Sequence, residues 1–484
     1  MKTIGLIDTT LRDAHQSLWA TRMTTPHMIP VARRLDEMGF EQIDLAGAIQ
    51  FDVCVRYLKE DPWERVRLMR ERICETPLRY LVRSKNLLAF DMVPDDILEL
   101  WIERIVANGF RVVGSFDGLN NIKNIVASTR TAKRLGVKTF GALSYSLSPV
   151  HTDELYVRTA RELVKSKTVD TIMLKDAAGL LTVDRIRTLV PAVKAVIGNI
   201  PLEVHSHCLT GLAPLVYLEA VKCGADLLHT SIAPLANGAG QPSTQNILKN
   251  LRWLGYDVPI RDAEIDTVSE HFRRIAEAEG KPLGEVLEYD ASHYSHQMPG
   301  GMLSNFRSQL TQAGLIDRFD EVLVEVARVR EELGYPIMIT PFAQFVGAQA
   351  VLNVVHGERY RVVPNEVKEY VLGYYGELLA PVHPEALDRI VENGSKRIAL
   401  QPVEPEPALA GLRKKYPNAS DDERLLRFMF AGTQVDDMLG NKAPMDGYRT
   451  MHPITDLVRR LSQQPRTAHI YISRGDFSLE ISQA

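Results

Sequence analysis

Short apolar, β-rich runs alternate with amphipathic helical patterns up to about residue 250. The apolar runs predict eight strands, namely Thr3–Ile7, Gln42–Leu45, Arg79–Val82, Val112–Phe116, Thr139–Leu143, Thr171–Leu174, Leu202–His205 and Leu227–Ser231. Apolar residues at helical spacing predict the intervening helices Pro26–Met38, Pro62–Ile73, Pro94–Ala107, Asn121–Leu135, Glu154–Lys165, Val183–Ile197 and Leu212–Cys223. Eight alternations with short links fit an α/β fold of the TIM (β/α)₈ barrel type better than an open doubly wound sheet.

Beyond about Asn250 the pattern changes to helices without strand alternation. The predicted helices there are Ala263–Ala278, Phe319–Leu333, Gln344–Val355 and Asn365–Gly373. The Pro- and Glu-rich stretch Leu400–Pro407 has the composition of a hinge. We therefore divide the chain into a barrel domain over residues 1–262, a mostly helical domain over residues 263–400, and a linker and tail over residues 401–484.

Residues that can carry chemistry collect where the predicted strands end. His205 and His207 leave the seventh strand two positions apart, so both face one side and can share a metal ion. Asp13, Arg83 and Lys175 follow the first, third and sixth strands. The carboxyl ends of barrel strands meet at the face that holds the active site. A carboxylate, two imidazoles and an atom of Lys175 would suit a divalent ion such as Zn²⁺, Mn²⁺ or Co²⁺.

Each of these residues also has a plainer interpretation. A His-x-His pair at a strand exit is as often two polar residues as a ligand pair. Lys175 could form a rim salt bridge with Asp176 or Asp170, and a protonated lysine cannot bind a metal. It becomes a ligand only if CO₂ converts its amine to a carbamate. Cys208, beside the histidines, fits core packing better than metal ligation.

Composition excludes several classes of protein. The 484 residues are 45% hydrophobic and 24% charged, as in an ordinary globular enzyme. A formal charge of −4 without a basic stripe argues against nucleic acid as the main partner. We find no long apolar run and no signal peptide, so we expect no membrane insertion and a cytoplasmic location. The four cysteines lack a CxxC pairing and are expected to be reduced, mostly buried thiols.

Several motifs occur in order along most of the chain: DTTLRDAHQSL at 8–18, FDV at 51–53, EDPWER at 60–65, KDAAG at 175–179, HSH at 205–207, QPST at 241–244, MPGG at 298–301 and TP at 340–341. Together they resemble the biotin-dependent carboxyltransferases of the pyruvate carboxylase, oxaloacetate decarboxylase α-subunit and transcarboxylase 5S group. The resemblance implies a barrel followed by a helical funnel domain that completes the active site. It also implies transfer of a carboxyl group between carboxybiotin and a small oxo acid such as pyruvate or oxaloacetate.

The same resemblance implies roles for individual residues. The implied metal ligands are Asp13, carbamylated Lys175, His205 and His207. The residues implied to surround the keto acid are Arg12, Gln16 and Arg83. Thr340 is implied to carry a proton to and from biotin.

Departures from the family pattern cluster at the active face. Ala46-Gly47-Ala48 stands in place of Trp-Gly-Gly, and Phe90 in place of a tyrosine whose hydroxyl would bond the keto acid. His229 occupies the position of an aspartate, and Lys85 adds a nearby charge. We therefore expect the metal and biotin chemistry to persist, and we hypothesise that the acceptor is not pyruvate.

The chain contains neither the Met-Lys-Met motif of a biotin carrier nor a Gly-rich phosphate loop with a lysine. We therefore expect a separate biotin carboxyl carrier protein and a separate biotin carboxylase subunit as partners. The resemblance also suggests a homodimer within a larger complex. Alternating residues at His469–Ile472 and Phe477–Ile481 predict a C-terminal hairpin, which we expect to dock a partner chain.

Two alternatives remain open at this point. The first is a metal-dependent aldolase related to HMG-CoA lyase or isopropylmalate synthase, because those enzymes also begin with Asp-Thr-Thr-Leu-Arg-Asp and bind metal through His-x-His. They need neither biotin nor a carbamylated lysine, so Lys175 discriminates. The second is a catalytically inactive scaffold subunit of a biotin-dependent carboxylase, which the altered positions Ala46, Phe90 and His229 would allow.

Overall fold

A computed structural model describes residues 2–300, 302–303, 306, 310–311, 314–441, 445, 469–474 and 477–482. Eight parallel strands between residues 5 and 230 close into a barrel in sequence order. These strands are β1 Gly5–Asp8, β2 Gln42–Gly47, β3 Leu78–Arg83, β4 Val112–Phe116, β5 Lys138–Ser144, β6 Thr171–Asp176, β7 Leu202–Ser206 and β8 Leu227–Thr230. The predicted TIM barrel is confirmed, and no strand boundary differs from its predicted position by more than two residues.

Helices surround the barrel because each carries one apolar face towards the sheet. The longer ones are Thr25–Glu37, Pro62–Arg72, Asp95–Ala107, Ile122–Arg134, Asp153–Ser166, Val183–Ile197, Ala213–Lys222 and Thr244–Trp253. Side chains of the cap residues accept backbone N–H groups where several of them begin, as Thr152 and Thr182 do. The last of these helices was not predicted. The shorter helices His15–Leu18 and Ala48–Val53 lie at the carboxyl ends of β1 and β2.

A second hydrophobic core lies beyond the barrel and is built by helices. The described helices of this region are Ile265–Glu279, His293–His296, Phe319–Glu332, Phe342–His356, Asn365–Val371 and Pro384–Asn393. Those from Phe319 onward bury the aromatic and aliphatic side chains of the second core, whereas Ile265–Glu279 packs on the barrel core. The mostly helical character predicted for this region is confirmed. Gly301 of the MPGG motif lies outside the described residues.

Three short helices that were not predicted follow the Pro- and Glu-rich hinge. They are Leu409–Lys415, Asp421–Met429 and Gln434–Gly440. Leu425, Leu426 and Phe430 are buried in the same core as the barrel helices. The predicted C-terminal hairpin is present, with β9 His469–Arg474 antiparallel to β10 Phe477–Ser482. Its turn residues Gly475 and Asp476 lie outside the described part of the chain.

Asp422 joins this C-terminal segment to the barrel helices. Its carboxylate accepts hydrogen bonds from Arg104 Nε at 2.6 Å, Asn108 Nδ2 at 3.2 Å and Arg67 Nη1 at 3.3 Å. Its backbone carbonyl accepts the indole N–H of Trp63 at 3.1 Å. Asp422 therefore adds polar contacts between residues 409–440 and the outside of the barrel to the apolar packing of this segment.

Replacing Asp422 by alanine is expected to loosen residues 409–440 without unfolding the barrel. The arginine partners are partly exposed, so the expected loss of local stability is about 1–2 kcal/mol. Hydrogen exchange of residues 409–440 measures it. Asp421→Ala is the matched control, because Asp421 pairs with Arg413 and Arg424 inside the segment. An equal increase in hydrogen exchange of residues 409–440 in both variants would contradict the proposed role of Asp422.

The described cysteines form no disulfide bond, and they differ in exposure. Cys54 and Cys208 are buried, Cys223 is partly buried and Cys74 is exposed. The expectation of mostly buried thiols therefore fits only part of the set. Among the described residues, no helix is long enough and apolar enough to cross a membrane. The cytoplasmic location stays a prediction.

Candidate active site

Three buried side chains converge at the carboxyl end of the barrel. Ligand atoms of Asp13, His205 and His207 all lie within 4.8 Å of one another. His205 Nε2 is 3.1 Å from Asp13 Oδ2 and 3.2 Å from His207 Nε2. His207 Nε2 is 3.7 Å from Asp13 Oδ1. The sequence prediction that these three residues meet is therefore matched by the geometry.

The KDAAG and HSH motifs hold this arrangement through the loop after β6. The Asp176 carboxylate accepts the backbone N–H groups of Leu180 and Leu181 and the hydroxyl of Ser206. Gly179 has a φ of +67°, and a Cβ placed there would lie 2.6 Å from the carbonyl oxygen of His207. Only glycine accommodates that approach without strain. The two motifs are thus parts of one packed loop pair beside the candidate metal ligands.

Lys175 belongs to the same cluster. It pairs in register with His205 across β6 and β7, and its Nζ lies 3.2 Å from His205 Nε2 and 3.8 Å from Asp13 Oδ2. Asp170 instead pairs with Lys133, and Asp176 caps the loop described above, so neither forms the rim salt bridge considered for Lys175. Burial lowers the pKa of Lys175 to about 8, which increases the fraction of neutral amine that can react with CO₂.

The cluster has the dimensions and chemistry of a site for a divalent cation. Nitrogen and oxygen ligands at the usual zinc distances are separated by roughly 3.0–3.4 Å, close to the separations among these atoms. Although Asp13 Oδ2 is completely buried, it accepts no well-directed hydrogen bond from the described residues. Burial lowers the pKa of both His205 and His207, so their imidazoles are neutral and can offer lone pairs. The residues present therefore fit such an ion.

Arg12 contacts Asp13, one of the candidate metal ligands. Its Nε and Nη2 donate to Asp44 Oδ2 at 2.9 and 2.6 Å, and its Nη1 lies 3.0 Å from Asp13 Oδ2. Burial alone would raise the pKa of Asp13, but the neighbouring charge of Arg12 holds it well below its ordinary value. A contact between Arg12 and a keto acid stays a prediction. Sequence reasoning missed Asp44, although a lone acid inside an apolar strand run is a usable signal.

Gln16 is linked to the cluster through Gln50, which sequence reasoning also missed. Gln50 Nε2 donates to the carbonyl of Arg12 and to Gln16 Oε1, both at 3.2 Å. Gln50 Oε1 accepts the backbone N–H of Gly47 at 2.9 Å. Gln50 therefore joins the altered Ala46–Ala48 segment to the first loop. Because the oxygen of Gln16 is engaged, its amide group is oriented to donate hydrogen bonds.

Arg83 stands at the carboxyl end of β3 and is buried. Its Nε donates to the carbonyl of Leu87 at 3.1 Å and its Nη2 to that of Ala89 at 2.7 Å. These two hydrogen bonds from Arg83 to described residues do not use its Nη1 atom. That N–H group can therefore donate to the carboxylate of a substrate. The Phe90 side chain is 44% exposed, and Lys85 is paired with Asp95 at 2.8 Å. The charge added by Lys85 is therefore countered locally.

Thr340 comes from the helical region and lies above the barrel mouth. The preceding Ile337 and Ile339 pack in one apolar cluster with Leu81 and Met173 of strands β3 and β6. The hydroxyl oxygen of Thr340 accepts a hydrogen bond from Gln344 Nε2 at 3.1 Å. The hydroxyl proton is consequently left to donate elsewhere. Thr340 shares the barrel end with Arg83 and Lys175, but the described contacts do not join their side chains.

Two further polar residues touch the histidine pair. Gln241 Nε2 lies 3.0 Å from His207 Nε2 and 3.4 Å from His205 Nε2. On the other side of His205, its Nδ1 lies 3.2 Å from Nδ1 of His229. Gln241 belongs to the QPST motif, whereas His229 was noticed only as a departure from the family pattern. Cys208 is buried next to the pair but is not among the grouped ligand atoms.

Two family models match the chain. Residues 294–472 match a model described as "Conserved carboxylase domain", and residues 115–272 match one described as "HMGL-like". The first match covers most of the helical region and the C-terminal segment. The second covers the later part of the barrel.

Named relatives match over most of the chain. A pyruvate carboxylase subunit of Methanocaldococcus jannaschii is 43% identical over 83% of this chain and 70% of its own length. The 2-oxoglutarate carboxylase large subunit of Hydrogenobacter thermophilus is 35% identical over 82% of this chain and 61% of its own. A solved carboxyl transferase domain of Rhizobium etli pyruvate carboxylase, with oxamate and biotin, superposes with a TM-score of 0.82 at 26% identity. That match covers 92% of this chain and 79% of the other.

Proposed function

Because the chain belongs to the family of biotin-dependent carboxyltransferases, we propose that it transfers a carboxyl group between carboxybiotin on a separate carrier protein and a small 2-oxo acid. The observation that carries the proposal is the buried cluster of Asp13, Lys175, His205 and His207 beneath the segment that bears Thr340. A lyase of the same barrel type would account for the histidines alone. Such a lyase needs no carbamylated lysine, so the position of Lys175 beside His205 discriminates between the two functions.

The proposed metal ligands are Asp13, Lys175, His205 and His207, with Zn²⁺, Mn²⁺ or Co²⁺ as the candidate ions. Lys175 would bind as a carbamate formed from CO₂, since a protonated amine cannot serve as a ligand. The short distance from its Nζ to His205 and its lowered pKa both support this role. A bound ion would supply Lewis-acid polarisation of the oxo group of the acceptor.

Hydrogen-bond donors at the same end of the barrel as the cluster would bind the oxo acid. Two loop carbonyls accept hydrogen bonds from Arg83, whose Nη1 would donate to the carboxylate of the acid. Gln50 binds the side-chain oxygen of Gln16, so the NH₂ group of Gln16 would donate to the substrate. Phe90 offers no hydroxyl, so the bond expected from a tyrosine there must be absent or come from another group. Relatives named for pyruvate and for 2-oxoglutarate leave both acids as candidates.

Thr340 would move the proton that the reaction needs. When the N–CO₂ bond of carboxybiotin breaks, the biotin nitrogen must gain a proton, and the acceptor carbon must lose one before it attacks CO₂. A hydroxyl can accept and donate in the same step, which suits both demands. The hydrogen bond from Gln344 fixes the Thr340 oxygen and leaves its proton free for this transfer. The new C–C bond then joins the acceptor carbon to CO₂.

The domains of the chain and its partner subunits follow from the same proposed function. We propose that residues 1–262 form the carboxyltransferase barrel, residues 263–400 the funnel domain, and residues 401–484 the linker and tail. The partners would be a biotin carboxyl carrier protein and a biotin carboxylase subunit. Two copies of the present chain would form a homodimer within that complex. The C-terminal hairpin is the proposed docking element, and removal of residues 466–484 without loss of complex formation would refute that part.

Biotin-dependent decarboxylation of oxaloacetate tests the function directly. Release of CO₂ from oxaloacetate by the purified chain with free biotin, abolished when biotin is omitted, would establish the carboxyl-transfer chemistry with pyruvate as an acceptor. Carboxylation by the reconstituted complex should then be compared for pyruvate, 2-oxoglutarate and acyl thioesters. Turnover of pyruvate alone would refute the hypothesis of a different acceptor. No biotin-dependent turnover with any acid would favour the scaffold alternative.

A further inference from the structure

A line of three side chains runs from the candidate metal centre into the barrel interior. His205 presents Nε2 to Asp13 and Nδ1 to His229, with 3.2 Å between the two Nδ1 atoms. His229 Nε2 in turn lies 3.1 Å from Glu203 Oε2. His205, His229 and Glu203 are all at most 1% exposed. Water therefore does not compete for these contacts.

The far end of this line is a fixed negative charge. Arg79 Nη2 donates to Glu203 Oε2 at 2.7 Å, and Thr171 Oγ1 donates to Oε1. The guanidinium of Arg79 also lies over the ring of Phe140, with 3.4 Å from its Cζ to the ring centroid. Glu203 is therefore a buried, paired carboxylate that can accept a further hydrogen bond from His229.

Only one arrangement of protons satisfies the whole line once His205 serves as a ligand. His205 must keep the lone pair of Nε2 for the metal, so its Nδ1 carries the proton and donates. His229 Nδ1 must then accept, and His229 Nε2 carries the proton that is donated to Glu203. The direction of both hydrogen bonds follows from the position of the metal ligands.

We propose that His229 is a positioning residue that links the Glu203 carboxylate to His205 and so fixes the tautomer and ring orientation of that ligand. The inference rests on the metal centre proposed above. Metal-binding histidines usually donate their second N–H to a carboxylate or carbonyl, and loss of that partner lowers metal affinity about 10–100-fold. In this chain an imidazole stands between the ligand and its carboxylate.

Titration of the metal-free, full-length protein with Co²⁺ tests this role through the dissociation constant and the visible absorption of the ion. His229→Leu and His229→Gln are expected to weaken binding about 10–100-fold. The glutamine amide reaches the position of Nε2, so it can meet Glu203 but not His205. His229→Asn places its amide oxygen near the Nδ1 position, so it keeps an acceptor for His205 but loses Glu203, and it should bind Co²⁺ more tightly than the leucine and glutamine variants but less tightly than wild type.

Matched measurements separate the outcomes. His151→Leu is the control, because His151 is equally buried but bonds to Ser148 away from the centre, and it should leave Co²⁺ binding unchanged. Unchanged affinity in His229→Leu, or equal losses in the asparagine and glutamine variants, would overturn the positioning role while the metal centre stands. Failure of the wild-type protein to bind Co²⁺ at the site would overturn both proposals. Thermal melting of each variant identifies any that fail to fold.

Discussion

Replacing Lys175 by alanine is expected to remove both the bound metal and the activity. The change deletes the proposed carbamate ligand from a site whose other ligands are Asp13, His205 and His207. Lewis-acid polarisation contributes several kcal/mol, so biotin-dependent carboxyl transfer with the oxo acid that the wild-type protein uses should fall about 10³-fold or more. Metal analysis after dialysis and the carboxyl-transfer assay measure the two losses together.

Two further variants make this result specific. Lys175→Glu places a carboxylate on a shorter stem and should retain more metal than Lys175→Ala. Lys133→Ala is the control, because Lys133 forms an ion pair with Asp170 on the partly exposed outer surface of the barrel. Full metal content and full activity in Lys175→Ala would exclude the proposed carbamate. Lys175 would then serve only as an ion-pair partner of Asp13.

Replacing Thr340 by alanine is expected to lower carboxyl transfer about 10²–10⁴-fold while the metal stays bound. The variant loses the hydroxyl that would pass the proton between the acceptor and biotin. Substrate binding should change much less than turnover, because the donors at Arg83 and Gln16 remain. Steady-state kinetics of biotin-dependent carboxyl transfer with the oxo acid that the wild-type protein uses, together with metal analysis, separate this effect from the loss in Lys175→Ala.

Matched variants at the same position define the role of the hydroxyl. Thr340→Val keeps the shape of the side chain and should be as inactive as alanine. Thr340→Ser keeps the hydroxyl and should retain activity within about tenfold of wild type. Activity of the valine variant close to wild type would show that Thr340 only packs above the barrel. Gln344→Leu should give an intermediate loss, because it removes the donor that orients the threonine oxygen.

Much of the fold is encoded in short-range pattern. Parallel strands that are buried on both faces need continuous apolar runs, and their helices need one apolar face, so each element can be recognised from its own residues. This explains why the predicted strands match β1 to β8 closely. The three helices over residues 409–440 are short and mixed in character. Their stability comes from packing on the barrel, as the contacts of Asp422 and Leu425 show. The residues of these helices alone do not reveal that packing.

The candidate ligands could likewise be predicted because they occupy strand ends. Barrel topology brings all such ends to one face, so Asp13, Lys175, His205 and His207 were expected to meet although up to 194 positions separate them in the numbering. The resemblance to a family selected Thr340, which carries no chemical signal of its own in the sequence. Its place above the barrel depends on the packing of Ile337 and Ile339.

The sequence by itself determined the barrel, the helical region after it and the identity of the groups at the strand ends, because local periodicity and chain topology are enough for these. Only the tertiary structure decided which groups engage one another. Arg12 pairs with Asp44, Gln50 donates a hydrogen bond to Gln16, and His229 lies between His205 and Glu203. Such contacts depend on the direction of each side chain within a closed barrel, and sequence spacing carries no information about that direction between different strands.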